Sequence, residues 1–134
     1  MRLDRIHHVA YAVEDIDAAL PVYTERYGMS IDVRERLDDQ GVEAVSLSAG
    51  SSQIELIQPV DPQSGVARFL ERRGPGLHHV AFEVHDLEAA LAELRDDGAE
   101  LIDHTPRRGL GGHMIAFIHP RASGGILTEL VQAH

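Results

Sequence analysis

Four side chains of the kind that bind cations recur in this chain at matched positions: His8 with Glu55, and His79 with Glu129. The first members stand in HHVAYAVEDIDAAL, from His7 to Leu20, which returns as HHVAFEVHDLEAAL from His78 to Leu91 with nine of the fourteen positions identical. The second members stand in IELIQ, from Ile54 to Gln58, which returns as TELVQ from Thr128 to Gln132. Both echoes are separated by about half the chain, so the sequence reads as a duplicated module. Each copy offers an imidazole near its start and a carboxylate near its end. Two imidazoles and two carboxylates related by a pseudo-twofold axis form a nitrogen and oxygen donor set for a divalent metal ion.

Side-chain parity says which residues can share a face. Ile6 to Val13 reads as a strand, with Val9, Tyr11 and Val13 on one bulky side and His8, Ala10 and Ala12 on the other. The second copy divides likewise, Val80, Phe82 and Val84 against His79, Ala81 and Glu83. The bulky side calls for a helix, and the alanine side leaves room beside the histidine. A glutamate inside an otherwise apolar strand is costly unless paired or bound to a cation, and here Glu55 and Glu129 occupy equivalent places. His7 and His78 point the other way and are read as structural. His85, His104 and His134 carry no signal, whereas His113 or His119 could line a cavity mouth.

A helix should follow each first strand, with Asp15 or Asp86 at its amino end. Ile16, Leu20, Tyr23 and Tyr27 recur at helical spacing, as do Leu87, Leu91 and Leu94, and Gly28 and Gly98 supply the stops. Pro21 removes a donor inside the first helix, which predicts a kink or an early non-helical turn. Strands are then expected at 30–36, 43–49 and 53–58, a short helix at 66–73, and strands near 100–103, 113–119 and 126–132. The expected fold class is α+β: two tandem β-α-β-β-β modules forming curved mixed sheets around a central metal cavity. One domain spans 1–134, its modules at 1–60 and 76–134 joined by a linker with a short helix at 61–75.

At 134 residues the chain can bury one sizeable core. Its net charge of -10 argues against nucleic acid and against an anionic membrane surface. All 12 basic residues are arginine, which a GC-rich genome explains. The absence of cysteine excludes thiol chemistry and fits a cytoplasmic location. No apolar run approaches the roughly 20 residues of a membrane span, and the start, MRLDRIHH, lacks the apolar core of a signal peptide. Gly109, Gly111 and Gly112 match no phosphate-binding pattern.

HHVA, QGVEAVSLSAGSSQIELIQP, RGPGLHHVAFEV, GLGGHMIAFIHP and HPRASGGILTELVQ, in that order, cover nearly the whole chain. This series resembles the vicinal oxygen chelate superfamily and, within it, the methylmalonyl-CoA epimerase family. The resemblance implies metal ligands at His8, Glu55, His79 and Glu129, a first-row divalent cation such as cobalt, manganese, nickel or zinc, a coenzyme A thioester substrate and a homodimer. It implies an isomerase that removes and returns an α-proton, with Glu129 both ligand and acid/base group. It also implies a glutamate base in the strand after Gln40-Gly41-Val42, where this chain has Ala44. Glu43 is adjacent, but parity turns it to the helix side, so the second acid/base group is unassigned. Arg72, Arg73, Arg107 and Arg108 are candidates for the coenzyme A phosphates. A glyoxalase-like lyase or isomerase would keep a similar metal set. A metal-free antibiotic-binding protein would not need it, and a fourth protein ligand argues against an iron dioxygenase.

Overall fold

A computed structural model describes residues 1–133, so His134 lies outside the described residues. The chain forms two compact units, residues 8–78 and residues 1–7 together with 79 onward.

In the unit 8–78 the strand order is β2-β3-β4-β1, with β1 (Leu3–Ala12) parallel to β4 (Ser52–Pro59). β2 (Ser30–Leu37) and β3 (Val42–Ala49) run antiparallel to their neighbours. The parity expected of β1 is observed. Tyr11 and Val13 join fully buried Ile16, Val45, Leu47 and Leu56 beneath helix α1 (Ile16–Pro21). Burying each such aliphatic side chain contributes about 1.5–3 kcal/mol. The turn at Asp38 to Gly41 needs glycine last, because Gly41 has φ +68 and a Cβ there would lie 2.9 Å from that of Asp61.

Pro21 acts as its missing N–H predicts. The α-helical geometry stops at Pro21 and the chain continues as a wider π-type turn over Val22–Arg26. That turn corrects one expectation. A π turn holds more residues than an α turn, so the 3.6-residue spacing drifts, and Tyr27 is 64% exposed rather than part of the apolar stripe. Helix α2 (Gly65–Arg73) is capped by Ser64, whose hydroxyl accepts from the Ala67 N–H, and it ends at Gly74 with φ +71.

The other unit has the order β5-β8-β7-β6, with β5 (Gly76–Val84) parallel to β8 (Thr128–Gln132) and β7 (Met114–Ile118) antiparallel to it. Helix α3 (Leu87–Asp96) has no proline and stays α-helical, burying Leu87, Ala90 and Leu91 against Val84, Ala116, Ile118 and Leu130. The strand expected near 100–103 is replaced by a single bridge from Leu101 to Ile118. The cause is local. The Ile102 and Asp103 N–H groups both donate to the Phe117 carbonyl, and the Asp103 carboxylate accepts the Phe117 N–H at 2.8 Å, so a side chain takes a ladder position. The edge strand β6 is instead the short Arg107–Arg108. Both units thus follow β-α-β-β-β, and the α+β architecture of tandem modules with mixed sheets is the one expected.

Helices α1 and α3 each also carry a cap that the sequence reading missed. The Ile16 N–H donates to Gln58 Oε1 at 2.8 Å, and the Leu87 N–H donates to Gln132 Oε1 at 2.8 Å. The two glutamines close IELIQ and TELVQ, so the signal is the last letter of the repeated motif. Gln58→Ala and Gln132→Ala are each expected to lower unfolding free energy by about 1 kcal/mol, through loss of a partner for a part-buried N–H. Urea melts of the single variants test this, and a change below about 0.3 kcal/mol in both would contradict it.

Candidate active site

In the unit 8–78, β1 supplies His8 and β4 supplies Glu55. The register sets Ala10 beside Glu55, and Ser46 of β3 flanks Glu55 on the other side. Small neighbours therefore surround the carboxylate, as parity required. His8 Nε2 lies 3.2 Å from Glu55 Oε2, and both residues are buried. Burial pushes the Glu55 carboxyl above its ordinary value, because the charged form loses its water.

The other unit repeats the arrangement. β5 supplies His79 and β8 supplies Glu129, with Ala81 directly beside Glu129. His79 Nε2 lies 3.6 Å from Glu129 Oε2, again with both residues buried. The surroundings here are more apolar: Ala81, Ile115, Phe117 and Val131 cluster together, and the His79 ring meets Phe117 edge-on at 5.1 Å. Arg107 lies over the opposite partner of that contact, 5.8 Å from the Phe117 ring centre, and its Nε is 3.4 Å from Asp103.

These pairs suit a divalent metal ion on chemical grounds. Buried carboxylates need a compensating positive charge, and imidazole nitrogen with carboxylate oxygen is a donor mixture that first-row ions accept. His8, His79 and Glu129 are buried side chains offering the donor atoms that could hold such an ion.

His7, His78 and His119 have other partners. His7 packs edge-on against His113 at 5.4 Å, and burial, with His113 next, lowers its pKa. His78 packs edge-on against Phe69 at 5.0 Å, and burial lowers its pKa to about 4. His119 caps the short 3-10 turn Pro120–Ser123 by accepting the Arg121 N–H, and its Nε2 lies 3.5 Å from Glu100. Glu43 turns to the helix side as parity indicated, pairing with Arg34, which also reaches Asp17 of α1. Arg72 and Arg73 end α2, with Arg73 5.7 Å from the Phe69 ring centre.

Comparison with known proteins agrees with this architecture. Residues 7–117 match the model of the Glyoxalase/Bleomycin resistance protein/Dioxygenase superfamily. The chain is 34% identical to the ethylmalonyl-CoA/methylmalonyl-CoA epimerase of Cereibacter sphaeroides, over 97% of this chain and 98% of that one. It is 40% identical to the crystal structure of methylmalonyl-CoA epimerase from Mycobacterium tuberculosis, with TM-score 0.94, covering 98% of this chain and 89% of that one. A methylmalonyl-CoA epimerase solved in complex with methylmalonyl-CoA and NH4+ is 36% identical, with TM-score 0.95, covering 98% and 96%. With the repeated modules and their paired buried histidines and glutamates, these matches place the chain in the glyoxalase superfamily, within its methylmalonyl-CoA epimerase family.

Proposed function

We propose that the protein is a metal-dependent epimerase interconverting the R and S forms of methylmalonyl-CoA, or of a close 2-substituted malonyl-CoA. The observation that carries the reading is the buried histidine and glutamate pair found at the equivalent place in both modules. His8, Glu55, His79 and Glu129 would hold one divalent cation, with cobalt, manganese, nickel and zinc all compatible with the donors. Such a cation, when bound, stabilises negative charge developing on a carbonyl oxygen as a neighbouring C–H bond breaks.

The chain's own residues do the rest. Epimerisation moves the α-proton to a base on one side of the carbon, leaving the electron pair delocalised into the thioester as an enolate. An acid on the opposite side then returns a proton and inverts the centre. Glu129, buried beside Ala81 and Phe117, serves as one of these acid/base groups as well as a ligand. The alanines beside both glutamates leave space for the acyl group. The Arg107 guanidinium, and with it Arg108, is suited to the anionic parts of a coenzyme A thioester.

The reading takes residues 1–134 as one domain of two modules, 1–60 and 76–134, joined through 61–75. It places that domain in the cytoplasm as a homodimer serving propionate metabolism, with no nucleic-acid or membrane partner. Among the described residues, no helix is long and apolar enough to cross a membrane. A light-scattering mass equal to a single 14.7 kDa chain would overturn the dimer. The reaction is tested by incubating the metal-loaded protein with one methylmalonyl-CoA epimer in deuterated water. Deuterium is expected at the α-carbon together with the opposite epimer. Absence of both above the uncatalysed background would sink the proposal.

A further inference from the structure

Inversion needs two acid/base groups, and the proposed function names one, Glu129. The sheet of the unit 8–78 carries a carboxylate placed to be the other. Its β2 strand has an irregularity between Ile31 and Val33, where Asp32 drops out of the pairing. After it the register runs Val33 with Ser46, Glu35 with Ala44 and Leu37 with Val42. Directly opposed residues share a face of the sheet, their Cβ atoms about 5 Å apart. Ser46 in turn opposes Glu55, Ala44 opposes Ile57, and Ala10 opposes Glu55 from the other side. Glu35 therefore stands on the face that carries His8 and Glu55, at the edge of a floor made of Ala10, Ala12, Ala44 and Ser46.

That floor is built from the smallest side chains, and Ala10, Ala12 and Ala44 are fully buried. Of the other carboxylates in β2 and β3, Glu43 faces α1 through Arg34 and Asp32 lies exposed at the irregularity, and Glu55 of β4 is already taken as a metal ligand in the proposed function. An acid on an edge strand commonly serves only to repel strand addition. In β2 the exposed Arg34 and Arg36, on the opposite face, already charge that edge, whereas Glu35 is half-buried.

We infer that Glu35 is the second acid/base group, the one that inversion requires in addition to Glu129. It acts from the strand adjoining Ala44, across a floor too small to carry the group itself. In one direction its carboxylate takes the α-proton as the C–H pair enters the thioester. Glu129, protonated, then supplies a proton to the other side, and in the reverse direction the roles exchange. Each carboxyl group returns to its starting state by proton exchange with solvent. The inference rests on the epimerase reading and fails separately from it.

The test follows each epimer separately in deuterated water, by mass spectrometry for exchange and chiral analysis for inversion. With Glu35→Gln, inversion should fall at least about 100-fold. One epimer should still exchange its α-proton with retention, because the remaining group can take and return a proton on its own side, while exchange of the other epimer is lost. Metal content should be that of the unmodified protein. Glu35→Asp, shorter by one methylene, should show the same asymmetry in weaker form, and it carries the test if the glutamine variant does not fold. Glu43→Gln, one position from Ala44 but on the opposite face, should leave both epimers unaffected. Inversion at the unmodified rate in Glu35→Gln, or equal loss of exchange from both epimers in the folded, metal-loaded variant, would overturn the inference. An unmodified protein that exchanges neither epimer would instead remove the epimerase reading beneath it.

Discussion

Glu129→Ala is expected to release the bound divalent cation and to reduce epimerisation by about 1,000-fold or more, since a Lewis acid at a developing oxyanion contributes several kcal/mol. His79→Ala should release the cation as well, because both residues come from the same buried pair, 3.6 Å apart. The two variants need not behave alike when a large excess of metal is supplied. In the proposed site, removing His79 would take away a ligand and open a cavity beside Phe117. On the proposed roles, removing Glu129 takes away a ligand and an acid/base group together, so added metal should restore less activity to it. Elemental analysis after gel filtration measures the first effect, and turnover across a metal titration the second. A full complement of metal in either variant would remove that residue from the proposed site.

Metal-free protein should lose stability as pH rises through neutrality, and Glu55 is the residue responsible. Its folded-state pKa lies above the ordinary 4.5 because burial disfavours the carboxylate. Below about pH 4.5 the carboxyl is protonated in folded and unfolded chains alike and makes no difference. As pH climbs further, the unfolded chain gives up the proton and the folded chain holds it, so the unfolded state gains. His78 works in the opposite sense. Its pKa is lowered from 6.5 to about 4 by burial, so its contribution is complete above 6.5 and is lost as pH falls from 6.5 towards 4. The Glu55 effect is isolated by difference. Metal-free Glu55→Gln should gain stability relative to the unmodified protein as pH rises from 5 to 7, by at least about 1 kcal/mol, the equivalent of less than one pKa unit. Bound cation supplies the missing charge and should cancel the gain. Parallel pH profiles for the two metal-free proteins in urea melts would refute this account.

Much of this was legible because the chain says it twice. A single His8 on an alanine-lined strand means little, but its recurrence as His79, each with its glutamate, singles out both pairs from the residues alone. The strand parity of Tyr11 and Val13 against His8, Ala10 and Ala12 is likewise kept, since the cluster beneath α1 takes only the bulky side chains. What could not be read involved departures from regular spacing. The π turn after Pro21 displaced Tyr27, because periodicity arguments assume one helical pitch. The strand near 100–103 gave way to Arg107–Arg108 because the Asp103 side chain takes a backbone donor, a choice that no residue pattern announces. Glu35 was invisible for a further reason: on an edge strand rich in charge, which face a carboxylate occupies depends on the irregularity at Asp32.

The glutamine caps tie helix placement to chemistry. Gln58 lies three positions after Glu55, and Gln132 three after Glu129, so in each strand the two side chains leave opposite sides of the sheet. A slip of β4 or β8 by one residue would turn its glutamate away from its histidine and, in the same movement, withdraw the amide from the helix end. Misaligned pairings are thus penalised on both faces at once, which gives each half a built-in proofreading of strand alignment during folding.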